Sequence, residues 1–134
     1  MRKNSALSPH SKKVLEVLHK SAKPLSAYEL IDKLRRFGIK APPTVYRALD
    51  TLVSRGLVHR IETLSAFVAC HDNKSPHEHL GAHFAVCREC GSVEEIHDHH
   101  LSDSIKVLAE NIKFHIEREM LELIGLCKRC EKKA

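Results

Sequence analysis

Four cysteines in two Cys-x-x-Cys pairs, Cys87 with Cys90 and Cys127 with Cys130, carry the strongest chemistry in this chain. Two pairs at that spacing can close a tetrahedron of four thiolates around one zinc ion. A single pair is compatible with redox exchange, but two in a chain of 134 residues favour structural zinc. The pairs lie far apart in sequence, so the ion would clip distant segments together. The fifth cysteine, Cys70, belongs to neither pair. Near it stand His59, His71, His77, His79 and His83, with Glu94 and Glu95 after the first pair. Zinc accepts mixed thiolate, imidazole and carboxylate ligands. A thiolate among imidazoles also biases a site toward zinc over harder ions such as manganese. Alone, Cys70 would read as a small buried hydrophobe; the cluster around it argues for a ligand.

The charge is unevenly spread. Residues 1–60 hold 13 Lys and Arg against 4 Asp and Glu, whereas residues 61–134 hold 9 against 13, within a net charge of +5. A basic half suggests a polyanion, most simply duplex DNA. The segment Met1–Pro9 is short and polar, and no apolar run approaches the ~18 residues of a membrane span. No signal peptide and no membrane partner are expected, and a reducing cytoplasm suits cysteines used for metal. The length allows one ordinary domain or two small ones with thin cores.

The elements that must position these residues follow from periodicity. A first helix is expected over 10–21, with Val14, Leu15 and Leu18 on one face. Ser26 and Glu29 form a capping box opening a second helix, with Ala27, Leu30, Ile31 and Leu34 inward and Gly38 past its end. Pro42-Pro43 starts a third helix running to Arg55, with Val45, Leu49, Leu52 and Val53 inward and Gly56 as its stop. Leu57–Glu62 and Ala66–Cys70 read as a hairpin around Thr63-Leu64-Ser65. Three helices and a hairpin on a basic module suggest a winged helix-turn-helix over 1–71. A polar linker is expected over 72–78, then a small α/β domain over 79–134. In that domain Phe84–Val86 and Val93–Ile96 read as strands and Leu101–Asn111 as a helix. Lys113–Ile124 reads as one long strand with a bulge near Arg118–Met120, where the apolar parity changes.

Pro42-Pro43-Thr44-Val45-Tyr46-Arg47-Ala48-Leu49 resembles the recognition-helix signature of the ferric uptake regulator (Fur) family. Cys87-Arg88-Glu89-Cys90-Gly91 and Leu121-Glu122-Leu123-Ile124-Gly125-Leu126-Cys127-Lys128-Arg129-Cys130 resemble its two zinc knuckles. The resemblance covers nearly the whole chain. Leu25-Ser26-Ala27-Tyr28-Glu29-Leu30, Val58-His59-Arg60-Ile61-Glu62 and Val68-Ala69-Cys70-His71 are most similar to the zinc uptake regulators within that family. The resemblance implies a homodimeric repressor of zinc uptake genes that binds operator DNA with zinc as co-repressor. It implies at least two zinc ions per protomer: a structural one on Cys87, Cys90, Cys127 and Cys130, and a regulatory one on His59, Cys70, His79 and Glu95. His83 is the alternate third ligand, because this chain has one extra residue between the linker histidine and Cys87. A further site would draw on His77 or His83, Glu110, and one of His97, His99, His100 and Glu119, though the last three histidines read more simply as solvated surface.

For DNA, Thr44, Tyr46 and Arg47 occupy the first turns of the third helix, where helix-turn-helix proteins meet base edges. Arg47 suits guanine O6 and N7, Tyr46 a thymine methyl, and Tyr28 and Arg60 the phosphates. The plainer reading of Tyr28 and Tyr46 is packing within the domain. Among competing functions, sensing of iron, manganese or peroxide is disfavoured by Cys70. A zinc hydrolase or deaminase needs an open coordination position and a general acid/base; four cysteines leave neither, so no catalytic residue and no small-molecule substrate are expected. A zinc-clipped protein-interaction module would show no salt-dependent affinity for duplex DNA.

Overall fold

The computed structural model describes residues 6–70 and 81–133. The expected linker 72–78 and the histidines at 71, 77 and 79 lie outside the described residues. The chain divides into two compact units, Met1–Pro76 and His77–Ala134.

In the first unit, α1 (Pro9–Lys20) starts where Ser8 accepts a hydrogen bond from the Ser11 amide and proline takes the first helical position. A two-residue strand, β1 (Leu25–Ser26), precedes α2 (Ala27–Leu34). The capping box is formed in full: the Glu29 amide donates to Ser26 Oγ at 3.1 Å and the Ser26 amide to Glu29 Oε1 at 3.0 Å. That second bond holds the Glu29 carboxyl below its ordinary 4.5. A turn of 3-10 helix, Arg35–Phe37, then ends at Gly38, whose φ of +81° suits glycine. The third helix, α3 (Pro42–Ser54), leads into the hairpin β2 (Val58–Ile61) and β3 (Ala66–Ala69). The hairpin is antiparallel with His59 opposite Val68, and β1 adds to the far side of β3. Val14, Leu18, Leu30, Leu34, Val45, Leu49, Leu52 and Val58 close one core. Three helices carrying a small antiparallel wing make a winged helix-turn-helix.

Replacing Ser26 by alanine leaves the Glu29 amide without its cap. The expected cost is about 1 kcal/mol, read as a fall of about 4–8 °C in the melting temperature of a unit this size. Glu29 has its pKa lowered on folding, so its share of the cap is full above pH 4.5 and fades as acid protonates it. A difference between wild type and variant that grows in acid would contradict this account.

The second unit is a three-stranded sheet with one long helix. β4 (Gly81–Cys87) is central, antiparallel to β5 (Val93–Glu95) and parallel to β6 (Glu119–Gly125). Between β5 and β6 runs α4 (His99–Asn111), capped by Asp98, whose Oδ1 accepts from the His100 and Leu101 amides at 2.8 and 3.3 Å. A short helix, α5 (Lys128–Lys133), follows β6.

One expectation changes here, and two elements were not foreseen. The long strand Lys113–Ile124 does not form: β6 begins only at Glu119, and no bulge is needed to explain the change of parity. Lys113 takes a left-handed φ of +55°, and the Lys113 and Phe114 amides bond back to Glu110 and Ala109 carbonyls, so the residues after α4 reverse the chain. β1 escaped sequence reading because two residues carry no period. α5 escaped it because six residues give no stripe.

Candidate metal and nucleic-acid sites

Both cysteine pairs sit where strands end. The register places Cys87, the last residue of β4, opposite Gly125, the last of β6, and the Arg88 amide bonds the Gly125 carbonyl at 2.9 Å. Parallel strands that stop together therefore bring the two knuckles to one place. Gly91 takes a φ of +73° and its amide bonds the Cys87 carbonyl at 2.9 Å, closing the first knuckle. The second opens α5, with the Glu131 amide bonded to the Cys127 carbonyl at 2.9 Å.

Each of the four sulfurs lies within 4.8 Å of the others. Cys90 and Cys127 are 3.8 Å apart at Sγ. A tetrahedron with zinc–sulfur arms of about 2.3 Å has edges of about 3.8 Å, so the group fits zinc. None of the five cysteines is in a disulfide. The backbone amides of Cys90 and Cys127 pull the Cys87 thiol from 9.0 down to about 6. The Cys90 thiol is also lowered, first by its hydrogen bond with the Ser92 hydroxyl. Cys130 is pushed up to about 12, first by its hydrogen bond with the Cys127 sulfur and then by burial. Amides aimed at one sulfur favour its thiolate, and a divalent cation supplies the charge that lets all four ionise side by side.

Among the other predicted ligands, His59 lies on β2 and Cys70 just past β3. The Cys70 amide bonds the Leu57 carbonyl at 2.9 Å, which extends the hairpin by one step. Their ligand atoms come within 4.8 Å of each other, inside the unit that carries α3. Glu95 belongs to the second unit, on β5 opposite Phe84, with its Oε2 3.6 Å from His97 Nε2. His79 lies outside the described residues. His83, the alternate ligand, is only 7% exposed on β4, and its Nε2 is 3.2 Å from Glu119 Oε1. Glu119 Oε2 is buried with no hydrogen-bond partner among the described residues. This His83–Glu119 contact was not legible in sequence, because both faces of a central strand are covered and alternation loses its meaning there. Glu110, His99 and His100 are exposed along α4.

The expected DNA contacts face outward. Tyr28 is 83% exposed and Tyr46 49% exposed, so neither packs into the core. Tyr28 and Tyr46 line one shallow pocket with Ile31, Asp32, Arg35 and Pro42, between α2 and α3. Arg47 is exposed and Thr44 half-buried on α3. Arg60, on the wing, is exposed, with its Nε 3.8 Å from Glu62 Oε1. Such a surface pair contributes at most about 1 kcal/mol and yields easily to a phosphate.

A winged-helix reader joined to a unit whose sheet is closed by four cysteines defines the class of metal-clipped DNA-binding regulators. The chain belongs to the ferric uptake regulator family, whose model matches residues 3–124. The zinc uptake regulation protein of Escherichia coli K12 is 37% identical over 130 residues, which span 96% of this chain and 75% of that protein. A crystal structure of holo XcZur matches with a TM-score of 0.83 at 37% identity, over 96% of this chain and 89% of that one. A zinc uptake regulator complexed with zinc and DNA matches with a TM-score of 0.86 at 33% identity, over 98% of this chain and 87% of that one. Among the described residues, no helix is long and apolar enough to cross a membrane.

Proposed function

We propose that this protein is a zinc-responsive transcriptional repressor. It binds operator DNA as a homodimer, with zinc as co-repressor, and controls zinc uptake genes from the cytoplasm. It is not an enzyme. The observation that carries the reading is the His59–Cys70 pair, a thiolate and an imidazole within reach of one ion on the wing of the DNA-binding unit. The likeness to the zinc uptake regulation protein supports the choice of metal. Cys70 disfavours iron, manganese and peroxide sensing, since a thiolate favours the softer ion.

In this reading the regulatory zinc takes His59 and Cys70 from the first unit, and His79 and Glu95 from the second. His79 is preferred to His83 because His83 is already engaged by Glu119. Ligands drawn from both units let the ion select one arrangement of them, and only one spacing of two recognition helices suits two half-sites. The structural zinc sits on Cys87, Cys90, Cys127 and Cys130. Thr44, Tyr46 and Arg47 read bases, while Tyr28 and Arg60 hold phosphates. The segment 72–78 is the linker between the DNA-binding and dimerisation domains.

Support for the dimer comes from what the second unit leaves uncovered. Val107, Leu108, Ile112 and Phe114 in and after α4, and Leu123 and Ile124 on β6, are exposed apolar side chains. β6 is also an edge strand of its sheet. A two-fold partner covers both at once.

The test is Cys70→Ser. The variant is expected to fold, keep the four-cysteine zinc and dimerise, but to lose at least tenfold in zinc-stimulated operator binding. Normal operator binding by the variant at low buffered zinc would remove Cys70 from the sensor.

A further inference from the structure

The first unit has a second groove, on the opposite flank of α3 from the tyrosine pocket. Ser8, the cap of α1, with His10 and Ser11 of that helix, lines one side; Thr44, Arg47, Ala48 and Thr51 of α3 line the other. Thr44, Arg47 and Thr51 recur at helical spacing, so one stripe of the recognition helix faces this space. Several of these groups are already spoken for. Ser8 Oγ accepts from the Ser11 amide and donates to Ser11 Oγ, both at 3.1 Å. Thr51 Oγ1 donates to the Arg47 carbonyl at 3.1 Å. Ala48 and Ser11 are buried. That leaves His10, Thr44 and Arg47 among the residues lining the groove, with no side-chain hydrogen bond to another described residue.

We infer that this groove seats a backbone phosphate of duplex DNA, with His10 and Thr44 holding it beside the base pair that Arg47 reads. The inference rests on the reading of α3 as the recognition helix. Its argument is chemical. Thr44 and His10 supply an O–H and an N–H donor to one small concavity; the one carboxylate on the same stretch of α3, Asp50, is not among the groove's residues. A phosphate oxygen is the acceptor that a DNA-facing donor pair of this kind takes. Thr44 therefore moves from base reading to register setting, and α1, which offered no DNA signal in the sequence, becomes part of the interface. Contacts of this type fix where the reader lies along the duplex without themselves carrying sequence information.

The experiment compares two duplexes by fluorescence anisotropy with the zinc-loaded full chain. One is a duplex selected by the wild-type protein from a random library, and the other a random-sequence duplex, each measured over a range of salt. His10→Glu places a carboxylate in the groove. Ala22→Glu places the same charge beyond the other end of α1, on an exposed residue. His10→Glu is expected to weaken both duplexes about tenfold, leave their affinity ratio unchanged, and lower the salt slope by about one. Thr44→Val, which keeps the side-chain shape, is expected to weaken both several-fold, and Ala22→Glu to change neither by more than about twofold. Equal effects of His10→Glu and Ala22→Glu would reduce the result to net charge and overturn the inference. Loss of the affinity ratio with the random duplex unaffected would make His10 a base reader and also overturn it. If the wild-type chain binds neither duplex in a salt-dependent way, the DNA-reading assignment itself fails, a result distinct from either of these.

Discussion

Replacing Cys127 by serine is expected to abolish the second unit as a folded body, while the first unit still melts cooperatively. Among its described residues, that unit buries as apolar side chains only Ala82, Phe84, Val86, Cys87 and Ala109. The first unit buries a continuous cluster from three helices and its wing. A core that thin does not offset the entropy of ordering its own chain. Structural zinc contributes about 10–16 kcal/mol of apparent binding free energy in small zinc domains, comparable to or larger than the whole stability of a typical domain. The variant should purify with at least one zinc fewer per chain, lose strand signal in circular dichroism, and run as a monomer or aggregate. Retention of wild-type zinc content together with a wild-type melt would refute the four-cysteine assignment. A strong chelator should give the wild-type chain the same phenotype, slowly.

The second large effect is expected for Arg47→Ala. Arg47 is an exposed residue on α3, and alanine is the best helix former, so the helix and its core face should be untouched. A bidentate contact to guanine discriminates by about 1–3 kcal/mol, which corresponds to about a tenfold to hundredfold loss of preference for the operator over random duplex. Zinc content and dimer state should not change. A gel-shift series in which the variant keeps its full preference would assign base reading to other residues.

These two predictions rest on parts of the molecule that were unequally legible in sequence. The cysteine clip could be read from spacing alone, because zinc fixes ligand type and number so tightly that few sequences match by chance. The helices α1 to α3 were legible because each buries a stripe at helical period and carries a cap: Ser8, Ser26, or Pro42 with Pro43. The second unit was less so. Phe114 and Ile116 alternate like strand residues, yet they belong to the reversal after α4. Val107, Leu108, Ile112 and Phe114 are exposed, so the apolar pattern of that region reports a surface as much as a local conformation. The Glu119–His83 contact depends on the parallel register of β4 with β6, which residue order does not encode. The ligands expected for a second metal site were legible in part: His59 and Cys70 come together because hairpin pairing places Leu57 against Cys70, two residues beyond the paired residues His59 and Val68.

The common end of β4 and β6 has a further meaning. Parallel strands far apart in sequence can pair in several offsets, and this sheet has few buried side chains to penalise a wrong one. A slip of one residue moves the chain about 3.3 Å along the strand, close to the full 3.8 Å sulfur–sulfur edge between Cys90 and Cys127. A misaligned pairing would therefore carry both sulfurs of one knuckle away from the other two, and the ion would not stay. On this view the metal proof-reads the sheet: it rewards one alignment of two strands and leaves every other alignment free to come apart and try again.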